Sequence, residues 1–201
     1  MIGLMGGTFN PVHYGHLIIC EGIREEFKLE KVIFIPAKIP PHKTDKKIAE
    51  AYDRLKMVRL AIADNPFFEA SDIEMKRDGS SYTVDTLMAF KRIYGSETRF
   101  GLIVGADSLV QIETWRNFND IFRLADIIVA PRPDTQENHL DNTIIKLKSN
   151  YGAKIFKFSG KAMNFSSTDI RKRIEEGLSI RYLVPPPVEA YIKRNGLYIK
   201  G

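Results

Sequence analysis

Six short apolar runs, rich in β-branched and aromatic residues and separated by stretches of helical spacing, do most to restrict what this 201-residue chain can fold into. They are IGLM (2–5), KVIFIP (31–36), FFEAS (67–71), RFGLIVG (99–105), DIIVAP (126–131) and KIFKF (154–158). Such residues suit pleated strands, and runs that are apolar at consecutive rather than alternate positions suit strands covered on both faces. Between the runs, Leu55, Val58 and Ile62, or Val84, Leu87 and Met88, fall on one side of a helix. The alternation predicts an α/β fold, a Rossmann-like doubly wound parallel sheet. One domain over 1–201 is expected, since single cores commonly run to ~200 residues. Residues 178–201 read as a small helical C-terminal piece: LVPPPVEAYIKRNGLY combines a proline break, a short helix docking by an aromatic face, and a stop at Gly196.

In an open parallel sheet, ligands bind outside the carboxyl ends of the strands. The segment after the first strand, GGTFNPVHYGH (6–16), holds two of the chain's four histidines. Gly6 and Gly7 allow positive φ and close approach of a ligand to backbone N–H groups. His13 and His16, three residues apart on the first turn of the following helix, can turn both imidazoles toward one phosphate group. Gly15 between them leaves space for a large planar group. The loop carries neither G-x-x-x-x-G-K-[ST] nor G-x-G-x-x-G, which argues against a P-loop and against a hydride-transfer dinucleotide site. No H-E-x-x-H is present, and His42 and His139 are not placed to complete a metal site, so no residue is expected to ligate a metal.

A second constellation, FSSTDIRKRI (165–174), reads as a well-capped helix: Ser166 or Ser167 as N-cap, Asp169 in the first turn, an Ile170/Ile174 stripe and Gly177 as the stop. Its first turn also offers hydroxyls and N–H groups to an anion, with Arg171 in reach. Residues 151–201 carry ten Lys/Arg against four Asp/Glu. That charge suits a phosphate-rich small molecule, a nucleic acid or a solvated lysine-rich face. No apolar stretch approaches the ~20 residues that span a bilayer, no secretory leader is evident, and the lone Cys20 suits a reducing compartment; a cytoplasmic protein is expected.

With GGTFNPVHYGH and SSTDIR together, the chain resembles the nucleotidyltransferases with an H-x-G-H signature, relatives of the class I aminoacyl-tRNA synthetases. Over its whole length, through PAKIPPHK (36–43), DGSSYTVDTL (78–87), GADSL (105–109), TW (114–115) and DIIVAPRP (126–133), it is similar to the bacterial nicotinate-nucleotide adenylyltransferases. The resemblance implies transfer of AMP from ATP to nicotinate mononucleotide with Mg2+, giving deamido-NAD and pyrophosphate. It implies His13 and His16 at the ATP phosphates, with Gly7, Thr8 and Phe9 around the nucleotide. Gly105 and Asp107 would hold the ribose, and Ser166, Ser167, Thr168 and Arg171 the β and γ phosphates. Lys43 would neutralise phosphate charge, Trp115 would stack on the pyridine ring, Thr83 would lie by the pyridine carboxyl group, and Arg132 would be a further phosphate contact. Membrane and nucleic-acid partners are not implied, and the oligomeric state stays open. The alternatives are nicotinamide mononucleotide as acceptor, or a non-enzymatic nucleotide- or RNA-binding module using the basic C-terminal quarter. Aromatic-interleaved basic stretches of the kind RNA readers use are not apparent.

Overall fold

The computed structural model describes residues 1–39, 48–131, 137–161 and 163–199. Six parallel strands form one sheet: β1 (Ile2–Gly7), β2 (Val32–Pro36), β3 (Phe68–Ala70), β4 (Phe100–Gly105), β5 (Asp126–Ala130) and β6 (Ile155–Lys157), in the order β3-β2-β1-β4-β5-β6. Each of the six apolar runs supplies one strand. The order reverses between β1 and β4, as in a doubly wound Rossmann sheet.

Alternate side chains of each strand feed different cores. Leu4, Ile33, Ile35, Leu102, Val104, Ile127 and Val129 point to one face, which is covered by α3 (Thr83–Tyr94), α5 (Phe118–Leu124) and α6 (Glu137–Tyr151) through Leu87, Phe90, Ile121, Leu140, Ile144 and Leu147. Val32, Phe34, Ile103 and Ile128 point to the other, beneath α1 (Tyr14–Glu26), α2 (Ala51–Ala61), α7 (Ser167–Glu175) and α8 (Pro186–Arg194). The short α4 (Ala106–Val110) and a 3₁₀ turn (Ile112–Thr114) follow β4. Two-sided burial is why the strands read as unbroken apolar runs. The C-terminal helix α8 docks by aliphatic Val188 and Ile192 rather than by an aromatic face; Tyr191 lies at its edge, its hydroxyl donating to Asp53 of α2 at 2.7 Å.

One detail of register opens the ligand site. β1 pairs with β2 over five residues, Gly3 to Gly7, and β4 with β5 over five, Gly101 to Gly105. β1 and β4 pair only from Ile2↔Phe100 to Leu4↔Leu102. Both strands then run three residues further without pairing to each other, so the sheet splits at its carboxyl end at the point where the order reverses.

Candidate active site

Two cavities open at this split. A histidine lobe of about 430 Å³ is lined by residues 5–10, His13, Gly15, His16, Gly105, Ser108, Trp115, Phe165 and Ser166–Thr168, among others. A glutamate lobe of about 570 Å³ is lined by Thr8, Ala37, Glu74, Ser81–Thr83, Thr86, Ser108, Thr114–Arg116 and apolar side chains of β1, β2, β4 and α3. Gly6, Gly7, Thr8, Ser108 and Trp115 belong to both, so they form the divide between two halves of one crevice. The buried polar side chains among the described residues are Asn10, His13, Arg54, Glu74 and Thr86. Each lines the crevice or holds a segment that does. Burying such groups costs free energy unless they are partnered, so their concentration at one end of the sheet marks that end as built for something other than stability.

The loop after β1 differs in detail from its reading in the sequence. Gly6 and Gly7 are strand residues without positive φ; the left-handed residue is Phe9, at φ 48°. Gly7 is small because the Phe9 ring folds back on it, and a Cβ there would sit 3.0 Å from that ring. Gly6 faces open space. Asn10 carries the loop's braces. Its side-chain Oδ1 accepts from the Ala49 N–H at 3.0 Å and the Tyr198 hydroxyl at 2.8 Å, and its carbonyl accepts from the Arg171 guanidinium at 2.9 Å. Burial pushes the Tyr198 phenol's pKa well up, against the pull of Arg171 and Arg54, so this hydroxyl stays a donor.

His13 is the N-cap of α1 and His16 its third residue. Their rings stack at 3.7 Å between centroids, 21° apart, and His13 is sandwiched on its other side by Phe165 at 5.9 Å. The two histidines are therefore not equivalent: His13 is buried, while His16 is half-exposed in the lobe. The His13 backbone N–H donates to His16 Nδ1 at 3.2 Å. In the neutral ring this leaves the proton on Nε2, making His16 a hydrogen-bond donor. Gly15 does not hold space for a ligand. A Cβ there would lie 2.8 Å from Phe165 Cβ and 3.1 Å from His13 Nδ1, so the planar group against the helix is the protein's own Phe165.

The head of α7 closes the lobe from the far side. Ser166 is the N-cap, its Oγ accepting from the Asp169 N–H at 3.3 Å. Ser167 Oγ donates to the Pro11 carbonyl at 2.9 Å, so with Arg171 it ties α7 to the loop after β1. Gly177, at φ 70°, follows the helix stop as expected. The structure thus gathers Gly7, Thr8, Phe9, His13, His16, Gly105, Ser166, Ser167 and Thr168 around one lobe. Thr83 lies in the other lobe and Trp115 in both. Asp107 sits on the exposed side of α4, and Arg171 is directed at the Asn10 carbonyl. Lys43 and Arg132 lie outside the described residues.

Four contributors have no role assigned to them from the sequence. Glu74 accepts from the Thr86 hydroxyl at 2.6 Å; Arg77 donates to the same hydroxyl oxygen at 3.1 Å, and desolvation raises the Glu74 pKa against these contacts. Arg54, 1% exposed, is enclosed by backbone carbonyls. Arg116 lies over the Tyr82 ring at 4.7 Å, forming a second wall beyond Trp115. Phe165 backs the histidines. Arg54 was the detectable one, as a charged residue three and four positions before Met57 and Val58 on the apolar face of α2.

Comparison with known proteins agrees with this fold. A family model described as cytidylyltransferase-like matches residues 4–173. The chain is 45% identical over 199 residues to a probable nicotinate-nucleotide adenylyltransferase of Thermoanaerobacter sp. (strain X514), covering 99% of this chain and 94% of that one. It is also 45% identical over 197 residues to one from Moorella thermoacetica, covering 98% and 91%. Its fold matches the Plasmodium falciparum nicotinic acid mononucleotide adenylyltransferase complexed with NaAD, with a TM-score of 0.77 at 18% identity over 98% of this chain and 96% of that one.

Proposed function

The chain belongs to the nicotinate-nucleotide adenylyltransferases, within the cytidylyltransferase-like family, and from that premise we propose how its crevice works. The protein is a nucleotidyltransferase of NAD biosynthesis that transfers AMP from ATP to nicotinate mononucleotide, giving deamido-NAD and pyrophosphate. ATP takes the histidine lobe and the mononucleotide the glutamate lobe. The observation that carries this division is the β1–β4 split, which places two cavities side by side with a shared wall at Gly7, Thr8 and Trp115.

The nucleophile is a phosphate oxygen of the mononucleotide, already ionised at neutral pH, so the reaction needs no general base. That oxygen forms a bond to the α phosphorus of ATP as the bond from phosphorus to the bridging oxygen breaks, and pyrophosphate leaves. The difficulty is bringing anions together, so catalysis comes from positioning and charge neutralisation. His16, donating through Nε2, meets charge developing near the α phosphorus. His13 holds the His16 ring by stacking and through its N–H. The α7 head, with its hydroxyls and N–H groups, receives the β and γ phosphates from the opposite side. Trp115 offers its ring to the pyridine, and the first turn of α3 at Thr83 lies beside the pyridine carboxyl group.

The polar lining of the histidine lobe is hydroxyls, imidazoles, the Asn10 amide and backbone, without a carboxylate among the described residues. That donor set suits Mg2+ carried by phosphate oxygens and water, which the hydroxyls of Ser166, Ser167 and Thr168 would help to hold. Such an ion would supply neutralisation of triphosphate charge. A cytosolic setting belongs to the same proposal, in keeping with the one, buried thiol of Cys20.

The test is pyrophosphate release from ATP with nicotinate mononucleotide, nicotinamide mononucleotide and phosphopantetheine as acceptors. The nicotinate compound should turn over fastest. Preference for the amide would reassign the acceptor, and no release with any of them would overturn the reading.

A further inference from the structure

Arg54 is one of the largest fully buried side chains in the described structure, and it touches neither lobe's open space. Its guanidinium donates through Nε to the Ala49 carbonyl at 2.9 Å and through one terminal nitrogen to the Thr8 carbonyl at 2.7 Å. The other terminal nitrogen donates to the Ala37 carbonyl at 2.7 Å and the Lys38 carbonyl at 3.2 Å. Thr8 follows β1 and lines both lobes; Ala37 follows β2 and lines the glutamate lobe. Ala49 donates its own N–H to Asn10, the residue that braces the histidine loop. One planar cation therefore gathers carbonyls from three separate chain segments, two of which form walls of the crevice.

A buried charge is expensive unless fully partnered, and hydrophobic packing would fill the same volume at less cost. Desolvation indeed pulls the Arg54 pKa below its usual value, although the group stays charged. What arginine supplies that an aliphatic residue cannot is a rigid fork of five N–H donors, fixing the directions of several carbonyls at once. A lysine at the same place would supply a point charge and no plane.

We propose that Arg54 is a positioning residue for AMP transfer: it sets the loop after β1 against the segment after β2, and so holds the two lobes in the mutual register that in-line attack requires. The proposal rests on the reading of the crevice as an ATP lobe beside a mononucleotide lobe. It follows that Arg54 matters for the reaction between bound substrates more than for binding either one, because each lobe keeps its own local contacts when the register between them slips.

The experiment compares wild type with Arg54→Lys, and with Arg54→Gly in the presence and absence of added guanidinium ion. The only tryptophan, Trp115, lines both lobes, so its fluorescence reports binding of each substrate separately and counts competent sites. For Arg54→Lys, kcat per competent site should fall about a hundredfold, the scale of a 1 Å misplacement of reacting groups. Dissociation constants for ATP and for nicotinate mononucleotide should stay within about threefold of wild type. Guanidinium should restore part of the kcat of Arg54→Gly. A kcat per competent site within about threefold of wild type in Arg54→Lys overturns the proposal, as does a loss confined to the affinity for one substrate. Failure of both variants to fold even with guanidinium present assigns Arg54 to folding and overturns it equally. Wild-type protein that releases no pyrophosphate removes instead the reading on which the proposal rests.

Discussion

The two lobes of the crevice are built on opposite principles. The histidine lobe is assembled from two helix heads, stacked imidazoles and hydroxyls, held by hydrogen bonds between segments far apart in the chain. The glutamate lobe is assembled largely from the apolar side chains of β1, β2, β4, α3 and α5, with polar groups that include Glu74, Thr83, Thr86, Gln111 and Arg116 set into it. On the proposed reading the difference teaches that a bond-forming site between two anions can be divided, with electrostatic stabilisation concentrated where the phosphates would react and recognition placed where the acceptor's ring would be buried.

The sharpest way to break that division is His16→Ala. Losing one preorganised donor should lower turnover by about two to three orders of magnitude, with mononucleotide affinity, read from Trp115 fluorescence, close to wild type. Equal loss of acceptor affinity would mean that the lobes are not separate. Trp115→Ala attacks the comparison from the other side. Stacking on an aromatic ring contributes about 1–3 kcal/mol per base, so the mononucleotide should bind roughly ten- to a hundredfold more weakly. ATP should be affected less, because in the proposed arrangement Trp115 lines its lobe without stacking on its base; isothermal titration with each ligand alone decides this.

Gly15→Ala tests whether packing behind the histidines matters. With backbone-attached Phe165 Cβ 2.8 Å from the new methyl, overpacking should cost about 1–3 kcal/mol of stability, seen as a lower midpoint in urea. Affinity for ATP should weaken while that for the mononucleotide holds. A fully wild-type midpoint would show that Phe165 moves freely.

The smallest effect is expected at Glu74. Burial raises its folded-state pKa above the unfolded value, so the folded protein prefers the protonated acid. The stability this group contributes is present below the ordinary glutamate pKa and lost as pH rises through the raised value. Glu74→Gln keeps an acceptor for the Thr86 hydroxyl and removes the titration. The variant should therefore gain in thermal midpoint relative to wild type as pH rises from 4 toward neutrality. A difference independent of pH, or of opposite slope, would remove the desolvation argument.

The two lobes also differed in how far the sequence disclosed them. Strands were legible because two-sided burial leaves consecutive apolar residues, and the histidine lobe was legible because its donors cluster in two short segments whose residue types suit anions. The arrangement within that lobe was not. Phe9 rather than a glycine takes the left-handed conformation, and Gly15 is small for Phe165, a residue 150 positions away. Such reasons are contacts between distant segments, and local spacing does not carry them. The glutamate lobe was nearly silent: Glu74, Thr86 and Arg116 come from a loop, a helix and a turn whose local patterns are those of ordinary structure. Trp115 was found there by resemblance.

The ties from Asn10 and Pro11 to Tyr198, Arg171 and Ser167 join residues 188, 161 and 156 positions apart. During synthesis Asn10 and Pro11, in the loop that bears both histidines, emerge at least 156 residues ahead of the braces they meet. A chain cut short before Ser167 therefore carries the signature of the site without the contacts that shape it. Contacts between segments so far apart are also those that slow folding. Loss of the stretch from Ser167 to Tyr198 would remove all three ties at once while leaving both histidines in place.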